Sequence, residues 1–282
     1  MKKQEIYSLL SSWFDNYQIS EILLQHTGLS KNQLFFCENI ENFSKWDIKK
    51  YLDLQKLWTP FEYIIQKAEF YWYEFFVDSR VLIPRNDTEI MVDSVLEYFN
   101  KGEKLGPVLI DVWTWSSCIP ISILKNSKDF SDCFVIDISQ KALEVSKINI
   151  QKHNLENKIS QFHGSLLEPL LSKDFNKKDI IITANLPYIK DGDFENMSPE
   201  TVKFEPDSAL YWGPVTWFEL YETLIKQAVN VKKSQNIYSI ELFIEIWFDQ
   251  KQYAQKYLEN IKKEYLIHYD NSQIARCIQI SI

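Results

Sequence analysis

Along the first 75 residues apolar side chains recur at helical spacing: Ile6, Leu9, Leu10 and Phe14, then Ile19, Ile22, Leu23 and Leu24, then Ile48, Tyr51, Leu52 and Leu54. Residues three and four apart share one face of a helix, so 1–75 predicts a small helical domain. From 69 to 84 the period shortens to two, with Phe70, Tyr73, Phe75 and Val77 followed by Val81-Leu82-Ile83-Pro84, which predicts a β-hairpin. Arg85-Asn86-Asp87-Thr88-Glu89 comes next. Asp87 or Thr88 suits the N-cap of a helix that buries Ile90, Met91, Val92 and Val95. Hairpin and linking helix together take up 76–100.

From Val108 onward, short apolar runs alternate with helical patterns. Val108-Leu109-Ile110-Asp111-Val112, Cys133-Phe134-Val135-Ile136-Asp137, 159–162 and Asp179–Ala184 predict strands, with helices at 119–124 and 142–150. After a long loop a helix is predicted at 218–229, a strand at 239–246, a helix at 248–261, and a strand pair at 265–268 and 275–282. Such alternation specifies an α/β domain, 101–282, built on a mostly parallel, doubly wound sheet.

In open α/β sheets, ligands bind beyond the carboxyl ends of the strands. The β-branched run Ile180-Ile181-Ile182 ends in Asn185-Leu186-Pro187-Tyr188. That group suits a planar amide or amine: the Asn185 carboxamide can accept one N–H, a backbone carbonyl fixed by Pro187 a second, and Tyr188 offers a face to stack on. Asp111 ends the first strand and Asp137 the second. Acids there suit the ribose of a nucleoside ligand, but the intervening loop, Trp113-Thr114-Trp115-Ser116-Ser117, has no G-x-G-x-x-G turn for a pyrophosphate. A ribose-bearing ligand without phosphates fits better, and S-adenosylmethionine is the commonest such cofactor. His26 is isolated and reads as a structural or capping histidine.

Bulk properties narrow the classes. With 31 basic and 39 acidic residues the net charge is −8, and no basic cluster is dense enough to track a phosphate backbone, which weighs against a dedicated nucleic-acid binder. Cys37, Cys118, Cys133 and Cys277 form no C-x-x-C pair and read as buried thiols of a reducing compartment. No run approaches a membrane span and no signal-peptide core follows the start, so a soluble cytoplasmic protein is expected.

In order along the chain, Pro60-Phe61-Glu62-Tyr63-Ile64, Val81-Leu82-Ile83-Pro84-Arg85 through Thr88-Glu89, the loop from Asp111 to Ile119, Asn185 to Tyr188, Glu205-Pro206 with Ala209-Leu210, and Glu245-Ile246 with Asp249-Gln250 resemble motifs of one family, the N5-glutamine methyltransferases of peptide chain release factors. The resemblance implies a class I S-adenosylmethionine-dependent methyltransferase, with a seven-stranded sheet and a small N-terminal helical domain that docks the substrate. It implies transfer of a methyl to the side-chain amide nitrogen of the Gln in a release factor's Gly-Gly-Gln loop. Carried over, Asp111 and Trp113, Thr114, Trp115, Ser116 and Ser117 would hold the methionine part of the cofactor and Asp137 its ribose. Leu166 would lie against the adenine. Asn185 would bind the substrate amide beside the cofactor, with the backbone at Leu186 and Pro187, and Tyr188 would pack on it. The expected partner is the release factor, with no metal, membrane or direct nucleic-acid partner, and a monomer is expected. Two other readings share these residues: an N6-adenine methyltransferase acting on a flipped base, and a non-catalytic binding module descended from the enzyme.

The chain departs from the family pattern in two ways. Asn86 and Asp87 stand for Pro-Glu, Leu186 for the first Pro of the amide-binding motif, and Ser165 for an acid beside the adenine. More unusual, nine Trp accompany only six Gly, although Gly is ordinarily about 7% of residues. Trp58, Trp72, Trp113, Trp115, Trp212, Trp217 and Trp247 fall where the family has Gly; only Trp13 and Trp46 lack a clear counterpart. Seven at matching sites point to one cause, an opal codon read as Gly by the source organism and written as Trp in translation; the competing reading is a degenerate, inactive homologue with a blocked pocket.

Overall fold

The computed structural model describes residues 1–101, 106–127, 129–187, 205–206, 218–247 and 249–282. The chain divides into two compact units, and the first of them contains Met1–Lys67. Here α1 (Lys3–Leu10), α2 (Asn16–Thr27), α3 (Lys31–Phe36), α4 (Lys45–Lys56) and the short α5 (Phe61–Ile64) follow one another. Three of these start at a capping box: Asp15 with Gln18, Ser30 with Gln33, and Ser44 with Asp47 each satisfy two free N–H groups reciprocally. The apolar stripe read from the sequence closes into a core of Ile6, Leu10, Ile19, Ile22, Leu23 and their neighbours. Within it a buried Glu21 carboxylate is paired with Lys67. His26 bonds through Nε2 to the Asn42 carbonyl at 3.1 Å and meets the Phe43 ring edge-on, a structural role.

The second unit opens with a hairpin, β1 (Ala68–Phe70) and β2 (Tyr73–Phe75), whose Phe70 and Phe75 enter the main core. Its two-residue loop, Tyr71-Trp72, has φ of 48° and 69°. Positive φ at both positions defines a type I′ turn, in which Asn-Gly is the favoured pair. Trp72 is 96% exposed, so no packing offsets its backbone cost. Trp72→Gly is therefore expected to stabilise this unit by about 1–2 kcal/mol, read as a higher urea midpoint with an unchanged slope.

The sequence expectation of a hairpin running to Pro84 is corrected here: Val81-Leu82-Ile83-Pro84 forms no strand. Val81 and Ile83 are buried, as the alternation foretold, but the Val81 N–H turns back to the Asp78 carbonyl at 3.1 Å, and an irregular run leads to the 3-10 turn Asn86–Thr88 and α6 (Glu89–Lys101).

The remaining elements are β3 (Val108–Val112), α7 (Cys118–Asn126), β4 (Asp132–Asp137), α8 (Gln140–Lys152), β5 (Ile159–His163), β6 (Asp179–Ala184), α9 (Glu219–Ser234), β7 (Ser239–Glu245), α10 (Lys251–Asn260), β8 (Tyr265–Tyr269) and β9 (Ala275–Ser281). They build a seven-stranded sheet in the order β5-β4-β3-β6-β7-β9-β8, parallel from β5 to β7, with β9 antiparallel to both its neighbours. The order reverses between β3 and β6, so their carboxyl ends frame the switch point at which such sheets bind ligands. β3 is buried at every position, as a strand covered on both faces must be.

Candidate active site

Register sets the site. Val112 pairs with Ile136 on one side and Ala184 on the other, and Ala184 pairs with Ile244. The tips of β3, β4, β6 and β7 therefore end side by side, and Trp113, Asp137, Asn185 and Glu245 sit at or just beyond that line.

At the β3 tip, Asp111 lies opposite Thr183, whose hydroxyl donates to Asp111 Oδ1 at 2.6 Å. The other carboxylate oxygen, Oδ2, is buried without a hydrogen-bond partner. Burial pushes this carboxyl up to about 7, against the opposing pull of Thr114 and Thr183. Asp137 accepts the Trp115 N–H at 3.0 Å and the Ser139 N–H at 2.8 Å, and burial lifts it to about 6. The intervening loop is tied down polar group by polar group. Thr114 and Ser117 hydroxyls lie 2.9 Å apart, Ser117 and Ser146 hydroxyls 2.6 Å, and Asn149 Nδ2 donates to the Ser116 carbonyl at 3.0 Å. The same Asn149 carboxamide exchanges two bonds with the backbone of Phe76, joining the segment after the hairpin to the loop.

This loop is also left-handed at three alternate positions, Trp113 (φ 65°), Trp115 (φ 50°) and Ser117 (φ 62°). Both indoles turn inward, 2% and 5% exposed, and meet edge to face with ring centroids 6.3 Å apart. Leu166, also at positive φ, is buried just past β5.

At the β6 tip Asn185, Leu186 and Pro187 are all buried. Asn185 Nδ2 points to the Thr88 hydroxyl at 3.4 Å. The Leu186 N–H donates to Tyr221 Oη at 3.2 Å, and that hydroxyl donates on to the Glu245 carbonyl at 2.5 Å, which fixes the peptide plane after Asn185. The Glu245 side chain ends in the same pocket: burial drives its pKa up to about 7, while Thr88, Arg276 and Asn185 counteract. Arg276 in turn pairs with Asp87 at 2.8 Å, and Arg85 with the buried Glu205. Tyr188, Ala209, Leu210, Trp212 and Trp217 lie outside the described residues.

Asp111, Trp113, Thr114, Trp115, Ser116, Ser117 and Asp137 thus gather at the β3 and β4 tips, with Asn185, Leu186 and Pro187 one strand away. Thr88, Tyr221 and Glu245 support Asn185; the sequence offered Thr88 only as a helix N-cap and gave the other two no individual role. Thr88 and Glu245 lay inside family-like motifs, which was the available signal; Tyr221 stood in an ordinary helical pattern.

The sheet order and a ligand site at the reversal define a class I S-adenosylmethionine-dependent methyltransferase fold. No family model matches the chain. Its relatives are more informative. A protein of Clostridium acetobutylicum named release factor glutamine methyltransferase is 34% identical over 244 residues, 84% of this chain and 82% of that one. One of the same name from Mycoplasma mycoides is 31% identical over 279 residues, 96% and 92% of the two chains. The chain belongs to the release factor glutamine methyltransferase family. Among solved structures, the hMettl16 catalytic domain in complex with a MAT2A 3′UTR hairpin matches at TM-score 0.56 over 99% of this chain and 92% of that one, with 13% identity. The N-terminal domain of human METTL16 in complex with SAH matches at 0.52 over 99% and 94%, with 12% identity. Both are likenesses of fold.

The residues present fit the family's cofactor only in part. A buried, unpartnered Asp111 oxygen is suited to a donor on a ligand, and Asp137 is a buried acid at the end of β4, a place where an acid suits hydroxyl groups. The loop as written does not fit: two indoles are packed into the space at the β3 tip. A cavity elsewhere in this unit, lined by Ile110, Leu170, Phe175, Ile182, Val231 and Ile240 among others, is apolar and has no polar side chain for a nucleoside.

Proposed function

We propose that this chain methylates the side-chain amide nitrogen of the Gln in the Gly-Gly-Gln loop of a peptide chain release factor, in the cytoplasm, as part of translation termination. Its cofactor is S-adenosylmethionine, which supplies an electrophilic methyl. The observation that carries the reading is the orientation of Asn185. With Nδ2 turned inward to Thr88, the carboxamide has Oδ1 left as an acceptor for an amide N–H. The peptide plane at Leu186, held by Tyr221, and the ring of Pro187 give a fixed backbone carbonyl for the second N–H. An amide nitrogen with both N–H groups held has one face free for the incoming methyl; as the N–C bond forms and the methyl–sulfur bond breaks, one of the two amide protons is lost to solvent. Tyr188 is assigned the packing face and Leu166 the adenine contact. Most of the rate comes from such positioning, which can contribute roughly 7–11 kcal/mol. The helical unit is the docking surface for the release factor.

The test is to incubate the protein purified from its source cells with methyl-labelled cofactor and either release factor or nucleic acid. Label on the release factor glutamine is the expected result. Label on adenine bases would establish the N6-adenine reading instead, and no label on either would leave a binding module. No helix among the described residues is long and apolar enough to cross a membrane, consistent with an acceptor reached from solution.

A further inference from the structure

Seven of the nine tryptophans lie among the described residues, and four of them, Trp58, Trp72, Trp113 and Trp115, have φ between 50° and 69°. A left-handed backbone is rare for any residue with a Cβ and a genuine outlier for a bulky one. The surroundings share nothing that would select an indole. Trp72 occupies the second place of the type I′ turn and is almost wholly exposed. Trp58 comes just after Leu57, the residue that caps α4, with its N–H bonding to the Gln55 carbonyl and the Thr59 N–H reaching the Leu54 carbonyl. That is the position at which helices commonly end in Gly, and Gly28 fills it after α2 with φ 68°. Trp113 and Trp115 are buried in the loop between β3 and α7. The common factor at the four sites is a backbone that glycine adopts freely. A chain of this length with only six glycines is short by more than ten of the number usual composition supplies.

We propose that positions 58, 72, 113 and 115 are glycine in the protein the cell makes, written as tryptophan because opal triplets were translated with the wrong meaning, and that glycine at 113 and 115 opens the cofactor cradle at the β3 tip. The first part stands on backbone geometry and composition; the second rests on the methyltransferase reading. With hydrogen for side chain at both places, the volume of two buried indoles is freed in the loop that follows Asp111, whose Oδ2 has no hydrogen-bond partner, and a nucleoside ligand can approach the loop backbone closely. The Ser117 position, also left-handed, keeps its hydroxyl bonded to Thr114 and Ser146, so the loop retains its shape without the indoles. Trp13, Trp46 and Trp247 have ordinary φ, and the geometry makes no demand at those positions.

The decisive measurement is a peptide mass spectrum of the protein purified from its source cells. Glycine masses at 58, 72, 113 and 115, with opal triplets in the gene, are expected; tryptophan mass at 113 or 115 overturns the inference and leaves a closed pocket. The cradle is tested separately by titrating S-adenosylhomocysteine, by calorimetry, into the protein with tryptophan at both positions and into its W113G/W115G variant. Saturable binding by the variant alone is expected, and equal binding by both overturns the claim that the indoles close the site. Binding by the variant without label transfer to a release factor would overturn only the substrate assignment.

Discussion

Asn185→Ala in the glycine-bearing protein is expected to lower kcat/KM for the release factor by about 10²-fold or more, the loss typical when a reacting group is misplaced by an ångström. Affinity for S-adenosylhomocysteine should move by less than about tenfold, because the proposed role aims the Asn185 carboxamide at the acceptor more than at the cofactor. The change leaves a small void at a buried position, so stability must be checked alongside. Thr88 and Glu245 are the described side chains whose interaction with the carboxamide is lost, and they keep each other as neighbours. Undiminished methylation in a folded variant would remove Asn185 from the mechanism. A large parallel loss of cofactor affinity would move it to the cofactor side of the site.

What could be read from the chain follows from how local the determining pattern was. β3, β4 and β6 are continuous apolar runs, and a run of that kind needs no partner to be recognised. Asp111, Asp137 and Asn185 could be placed because each ends such a run. The segment at Val81 failed for the converse reason: period-two burial was read correctly, but strand formation also requires a partner, and pairing is non-local. The insertion of β9 between β7 and β8 is likewise a long-range choice, hidden from any local window. Thr88 and Asn185 are 97 residues apart, and only the folded sheet brings the linking turn against the β6 tip. Seen in sequence, Thr88 is a candidate helix cap; in the fold its hydroxyl faces the Asn185 carboxamide. The tryptophans were legible as anomalies of composition, while the φ values show what the anomaly means at each site.

Glu245 supplies the second large effect. It ends β7 beside the β6 tip, buried, with its Oε2 lacking a hydrogen-bond partner and its pKa lifted to about 7 chiefly by burial. Ionised, it can only accept hydrogen bonds, so it favours the Asn185 rotamer that turns Nδ2 inward and Oδ1 toward the acceptor. Protonated, the carboxyl also donates, and the inverted carboxamide becomes competitive. Methylation is therefore expected to rise with pH through about 7. Stability runs the other way. A carboxyl whose folded-state pKa is raised contributes fully below its unfolded value near 4.5, and the contribution is lost as pH climbs through about 7, a change on the order of 3 kcal/mol. Asp111, also raised to about 7, carries the same sign, so the wild-type profile alone does not separate the two. Glu245→Gln does: it should lower kcat roughly 10- to 100-fold, the range found when a group that orients a reactive ligand is removed. It should also erase the activity step near pH 7, leave cofactor affinity unchanged, and raise the unfolding midpoint at pH 8 relative to the parent. If the step near pH 7 survives in Glu245→Gln, the titrating group is Asp111, and the orientation of Asn185 is set by Thr88 without help from the acid.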